Sequence, residues 1–345
     1  MMWLAGKQLA CLATVWLLQA PPDNRWLEDS RTVWLLSVVL AVLLIAFAVG
    51  RFMRRQPESL VSPAVLHTFN RRVRAWWMMC AILIFAILLG YKITVVLFGL
   101  VSFWALREFI TMTPTRRGDH RTLFWVFFLF TPLQYVLIGM GPEYYGVYTV
   151  MIPVYASLFI FARIAFSGDS KRFLERSAKI QAGLLICVYA LSHAPALLKL
   201  ELETSDGRLW PSNPGLLFYF ILIVQLGDVL QYAWGKLLGK RVIAPEINSS
   251  RTWEGFLGGV LSTTVVGMLL WWATPFRLWE SACMAMVTAV AGFAGGMTMS
   301  AIKRDRGVTD YGTLVQGHAG VLDRIDSICF AAPVFFHLTR LFWSS

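Results

Sequence analysis

The sequence predicts an all-α, polytopic integral membrane protein of about nine to ten transmembrane helices. Three observations carry that reading. Apolar residues fill 57% of the 345 positions and charged residues only 15%, and the mean hydropathy is +0.60, well outside the range of an ordinary soluble domain. The apolar residues come in long runs rather than in alternating strands of about ten residues, which argues against a β-barrel. The charges gather between the runs, as they must where lipid forces the backbone to close its hydrogen bonds within helices.

A bilayer core needs roughly 20 apolar residues per helix. Residues 1–31 form an amino-terminal segment, in which Lys7 and a short apolar run precede PPDNR; it reads as an interfacial helix or a first span. Spans are expected near 32–50, 75–91, 93–111, 122–140, 144–166 and 178–198, within a scaffold of residues 32–214. Further spans near 215–235, 254–275, 279–301 and 326–343 belong to a catalytic part, residues 215–345. No internal repeat, low-complexity tract or soluble domain is visible.

The formal net charge of +11 sits in short loops such as RFMRR, RRVR, TRRGDHR and KLLGKR, where membrane orientation and anionic lipids favour it. Nucleic acid is a poor explanation for such charge. The positive-inside rule places those loops on the cytoplasmic side and the loops at 142–145 and 201–214 outside. Cys11, Cys80, Cys187, Cys283 and Cys329 stand singly in apolar surroundings without zinc spacing and read as buried packing residues.

Chemistry concentrates in two stretches. The first is residues 228–259. Asp228 lies inside an apolar helix, where a carboxylate is costly unless it faces a polar cavity or a partner; function, an ion pair with a neighbouring helix, and a position wetted by the interface all explain it. Gly235, Lys236, Gly239, Lys240, Arg241 and Arg251 form a flexible, cationic loop suited to phosphate, or a plain positive-inside anchor. Thr252 is placed to cap the next helix, Trp253 to anchor it at the interface, and GFLGG gives that helix a small-residue packing face.

The second stretch is residues 300–327. Lys303 and Arg304 suit phosphate oxygens, and His318 is a donor or proton carrier. Asp323 and Asp326 share a helical face and can both reach a divalent ion, unless Asp323 only caps the last span; Arg324 points elsewhere and can clamp phosphate. Without a Ser/His/Asp triad or a cysteine nucleophile, these residues point to metal-supported phosphate chemistry.

On these residues the sequence resembles the phosphatidate cytidylyltransferases, also called CDP-diacylglycerol synthases. The second stretch resembles the family signature through Ser300, Lys303, Arg304, Asp310, His318, Gly320, Asp323, Arg324 and Asp326. The first resembles the family's Asp-bearing helix, GlyLys loop and ThrTrpGlu–GlyPhexGlyGly run, so the resemblance covers roughly residues 220–330. It implies a helical membrane fold, usually dimeric, in the bacterial inner membrane with the site facing the cytoplasm. It also implies CTP and phosphatidic acid as substrates, CDP-diacylglycerol and pyrophosphate as products, and membrane lipids as surroundings. Magnesium is implied on Asp323 and Asp326, with a second, monovalent ion as an addition. Asp323, Asp326, Lys303, Arg304 and Asp228 are implied as the catalytic set. Lys236, Lys240, Arg251, Thr252, His318, Arg324 and Asp310 are implied on the substrates.

The sequence departs from the pattern at several positions. Gly296 stands where the family has Asp, Met299 where it has Glu, Thr309 where it has Lys, and Ala319 interrupts the GlyGly. Asn248 and Ser249 replace Ser-Pro, and Arg251 replaces Lys. Asp305 and Asp310 are the candidates to compensate for the lost carboxylate. The departures support a second reading, a catalytically weak or inactive paralogue that binds phospholipid or a partner enzyme. A transporter is a third, suggested by Asp228 within a span, but no repeated halves support it.

Overall fold

A computed structural model describes residues 30–53, 63–113, 115–204, 207–211, 213–308 and 320–344. They form two compact units divided between Thr94 and Val95. In the first, α1 (Ser30–Met53) and α2 (Pro63–Leu88) lie against one another. The segment 1–31, apart from its last two residues, lies outside the described residues.

The second unit takes in α3 (Tyr91–Met112) from Val95 onward, then α4 (Arg117–Met140), α5 (Pro142–Ala165), α6 (Phe173–Lys199), α7 (Asn213–Leu238), α8 (Trp253–Leu269), α9 (Leu278–Asp305) and α10 (Leu322–Trp343). Among the described residues, seven helices, α3 to α7, α9 and α10, are long and apolar enough to cross a membrane. Seven, rather than the expected nine to ten, meet that length: the apolar stretches of α1 and α2 are shorter, Ser30–Ile45 and Trp76–Leu88, and α8 ends at Leu269 in a tight turn at Trp271–Ala273. These are the features of an integral membrane protein.

Helices α4 and α5 each contain a wide, π-helical turn near a proline, Val126–Phe130 before Pro132 and Met151–Ala156 around Pro153. Proline withdraws a donor and crowds the preceding turn. Hydroxyls five residues on take up the displaced carbonyls: Thr131 donates to Val126 at 2.9 Å and Ser157 to Ile152 at 3.1 Å.

A buried ion-pair network sits in this scaffold. Asp119, from the loop read as purely positive-inside, is 1% exposed and Arg176 5%. Arg176 Nε donates to both Asp119 oxygens at 3.0 Å, and its Nη1 donates to the carbonyls of Asp169 and Lys171 at 2.8 and 3.2 Å. The Arg116 amide completes the Asp119 carboxylate at 3.1 Å.

Helices α7, α8, α9 and α10 pack on one another. The GFLGG run does what its small residues predict: a Cβ on Gly255 would lie 2.8 Å from the Gln231 carbonyl oxygen, and one on Gly258 2.6 Å from the Trp234 ring. Between α7 and α8 the expected flexible loop is instead partly ordered as a hairpin, β1 (Val242–Ala244) with β2 (Asn248–Thr252), paired Val242 to Thr252 and Ala244 to Asn248. The cysteine expectation holds for Cys187 and Cys329, which are buried, but Cys80 is half-buried and Cys283 exposed. A lipid-facing position needs only an apolar side chain, not a buried one.

Candidate active site

The site is built where the carboxyl end of α9 meets the amino end of α10, with α7 and the hairpin beside them. Lys303, in the last turn of α9, donates to Asp323 Oδ1 at 2.9 Å in the first turn of α10; the two side chains are 15% and 20% exposed. Asp323 therefore does not cap α10. That task falls to Glu108 of α3, whose two oxygens accept the amides of Val321 and Leu322 at 3.0 and 2.9 Å. A charged acceptor at a helix start satisfies orphan amides and matches the helix dipole. It also holds Asp323 opposite Lys303.

The second pair crosses from α7 to β2. Arg251 Nη2 donates to Asp228 Oδ1 at 3.1 Å and Nη1 to Gln231 Oε1 at 2.8 Å. Asp228 and Gln231 are one helical turn apart and so share the face that meets the hairpin. The Phe293 ring lies 5.7 Å from the guanidinium carbon. The hairpin is itself tied to α9, since Asn248 Nδ2 donates to Ser300 Oγ at 3.1 Å and Arg304 Nε to the Ile247 carbonyl at 3.2 Å. Gln225 of α7 donates to the Arg324 carbonyl at 3.1 Å, fixing the first turn of α10 to α7.

Asp326 lies one turn after Asp323, with the Ser327 amide donating to its Oδ1 at 2.7 Å, and it is within electrostatic reach of Asp228, Asp323 and Lys303. The pairs Arg251–Asp228 and Lys303–Asp323, with Asp326 one turn on, thus lie half-buried on adjoining elements. Among the described residues no three His, Cys, Asp or Glu side chains form a group that could hold a metal ion. Magnesium commonly takes one or two carboxylates and draws its other oxygens from phosphates and water; of the two carboxylates expected to hold it, Asp323 bonds Lys303 and Asp326 accepts the Ser327 amide.

Other expected residues fall elsewhere. Lys236 and Lys240 are exposed; Lys236 lies over the Tyr232 ring, and the Lys240 amide is held by Glu254 at 3.1 Å. Thr252 is buried as the cap of α8, accepting the Gly255 amide at 3.1 Å. His318, Asp310, Thr309 and Ala319 lie outside the described residues. Asp305, one of the residues weighed as a replacement carboxylate, is paired with its neighbour Arg306 and exposed. Met299 is fully buried. A cavity of about 730 Å³ opens at the other ends of α9 and α10, lined by Glu203, Arg277, Glu280, Cys283 and Trp343, and takes in none of the expected site residues.

Carboxylates and cations brought together at the ends of membrane helices define a membrane-embedded enzyme of phosphate chemistry as the class to which such a site is suited. Residues 70–342 match the model of the cytidylyltransferase family, and the chain belongs to that family. It is 34% identical over 310 residues to the uncharacterized protein YnbB of Escherichia coli (strain K12), a match covering 88% of this chain and 97% of YnbB. It is also 34% identical over 120 residues to the phosphatidate cytidylyltransferase of Staphylococcus haemolyticus, covering 34% of this chain and 46% of that enzyme. For the phosphatidate cytidylyltransferase of Staphylococcus saprophyticus the identity is 36% over 121 residues, with the same shares. The chain therefore spans just under half the length of those two enzymes.

Proposed function

We propose that this protein transfers the cytidylyl group of CTP to a membrane lipid phosphate, phosphatidic acid or a close relative, in phospholipid biosynthesis. An oxygen of the lipid phosphate attacks the α-phosphorus of CTP, the bond from that phosphorus to the β-phosphate bridging oxygen breaks, and pyrophosphate leaves. The observation that carries the reading is the pair of half-buried ion pairs, Arg251–Asp228 and Lys303–Asp323, set with Asp326 on the adjoining α7, β2, α9 and α10. A lipid phosphate is already an anion near neutral pH, so the task is to neutralise charge and hold reactants in line.

Lys303, Arg304, Arg251 and Arg324 supply the positive charge to phosphate oxygens. Asp323 and Asp326 would hold magnesium, which neutralises phosphate charge and orients it. The bases around this end of the helices favour the cytoplasmic side, where CTP is made available, and we place the site there, in a bacterial inner membrane. The test uses purified protein in nanodiscs containing phosphatidic acid, with labelled CTP and magnesium. CDP-lipid and pyrophosphate in equal amounts are expected; neither product forming would sink the proposal.

The buried Met299 and the side-chain-free Gly296 favour a second reading, a weak paralogue that holds lipid phosphate without efficient transfer. Saturable phosphatidic acid binding by a protein that gives no product in the same assay would select it.

A further inference from the structure

Two neighbouring glycines on α9 are glycine for different reasons. A Cβ on Gly295 would lie 2.8 Å from the Asp326 carbonyl oxygen and 2.9 Å from Phe330 Cβ, so the contact between α9 and α10 excludes a side chain there. A Cβ on Gly296 would meet no backbone; its nearest atoms would be Arg251 Nη2 at 3.3 Å and Ser327 Oγ at 3.7 Å. Helix packing does not require glycine at 296. What uses the space is the charged end of Arg251.

That end is tightly held. It bonds Gln231 and Asp228 through different nitrogens, lies over the Phe293 ring, and is carried by a hairpin that Asn248 ties to Ser300. A guanidinium carries five N–H donors in a fixed plane, and these two bonds leave the rest uncommitted among the described residues. Only 20% of the side chain is exposed, so its charge is weakly screened. An immobilised, partly desolvated guanidinium with spare donors is a receptor for a phosphate oxyanion.

We propose that Gly296 is glycine to admit the guanidinium of Arg251, and that Asp228 and Gln231 are positioning residues that act through it by fixing where its free donors meet a substrate phosphate. The proposal rests on the nucleotidyl-transfer reading for its substrates but not for its geometry. The shared chemistry is a phosphate oxyanion, and separate titrations of CTP and of lipid phosphate distinguish the two sources.

Arg251→Lys keeps the charge but loses the two-nitrogen fork, and the KM for one of the two substrates should rise about 10- to 100-fold. Asp228→Asn, which keeps an acceptor oxygen, should raise the same KM by less. The double variant should be no worse than Arg251→Lys alone, because the positioning residue has nothing left to position. Gly296→Asp places a carboxylate against the guanidinium and should lower turnover. A several-fold gain in turnover with Gly296→Asp, or additive effects of Asp228→Asn and Arg251→Lys, would overturn the proposal.

The same variants are measured for thermal stabilisation by CTP and by phosphatidic acid without turnover. If wild type makes no product yet either compound stabilises it in an Arg251-dependent way, the transfer reading falls and this proposal stands. If wild type turns over and Arg251→Lys changes neither KM nor stabilisation, this proposal falls and the transfer reading stands. If neither compound stabilises wild type and no product forms, both fall.

Discussion

Two sets of Asp–Arg contacts in this molecule use the same chemistry to opposite ends. Asp119 and Arg176 are almost wholly buried, and the guanidinium is surrounded by the Asp119 carboxylate and two backbone carbonyls. Asp228 and Arg251 are 26% and 20% exposed and share a single bond, supplemented by Gln231. In the first set all three guanidinium nitrogens are bonded, and it holds α4 to α6. The second keeps donors in reserve, which is what a site needs and a scaffold does not. Completeness of hydrogen bonding, more than the presence of charge, is what sets the scaffold pair apart from the pair in the proposed site.

The comparison can be broken from either side. The largest effect is expected from Asp119→Ala, which leaves buried Arg176 only the rim carboxylate of Asp169 and two carbonyls and should cost about 3 kcal/mol of stability. Thermal unfolding in detergent would show it, with turnover per folded molecule unchanged. Asp323→Ala should do the reverse, lowering turnover on the order of 100- to 1,000-fold, with a smaller loss of stability than Asp119→Ala. Wild-type turnover would remove Asp323 from the chemistry.

Glu108 stands between the two sets, since it is scaffold in place and site in effect. Glu108→Ala should reduce kcat about tenfold, with Glu108→Gln recovering part because one acceptor oxygen remains. A change confined to stability would make it scaffold alone. The smallest effect belongs to Asp169, at the exposed rim of the buried network. The Arg116 guanidinium, and after it the Lys171 amide, hold its carboxyl below the usual carboxylate value. A depressed folded value stabilises the native state above the unfolded value, near pH 4, and that contribution is lost as pH falls through the folded value. Asp169→Asn should therefore lower the melting temperature slightly at neutral pH, less in high salt, and not at all in strong acid.

Much of this was legible in the sequence. Long apolar runs marked the helices, GFLGG announced the contact of α8 with α7, and Thr252 was readable as a cap. An isolated carboxylate in an apolar run drew attention to Asp228. The same rule applies to Glu108 within α3, which was passed over because nothing nearby in sequence suggested a partner; its partners lie at the start of α10. The hairpin escaped because NSSRT has no apolar alternation, and its pairing comes with tethers to α9 rather than from strand propensity. Asp119 was hidden among four basic neighbours in TRRGDHR, where counting charge obscured the one acidic residue that reaches inward.

The bond from Glu108 to Val321 joins positions 213 residues apart. During synthesis α3 enters the membrane long before α10 exists, so its carboxylate must wait for the amides that α10 brings. The last helix is therefore a keystone in assembly as well as a bearer of site residues. A chain ending before α10 leaves an earlier helix with an unanswered charge, marking it as unfinished.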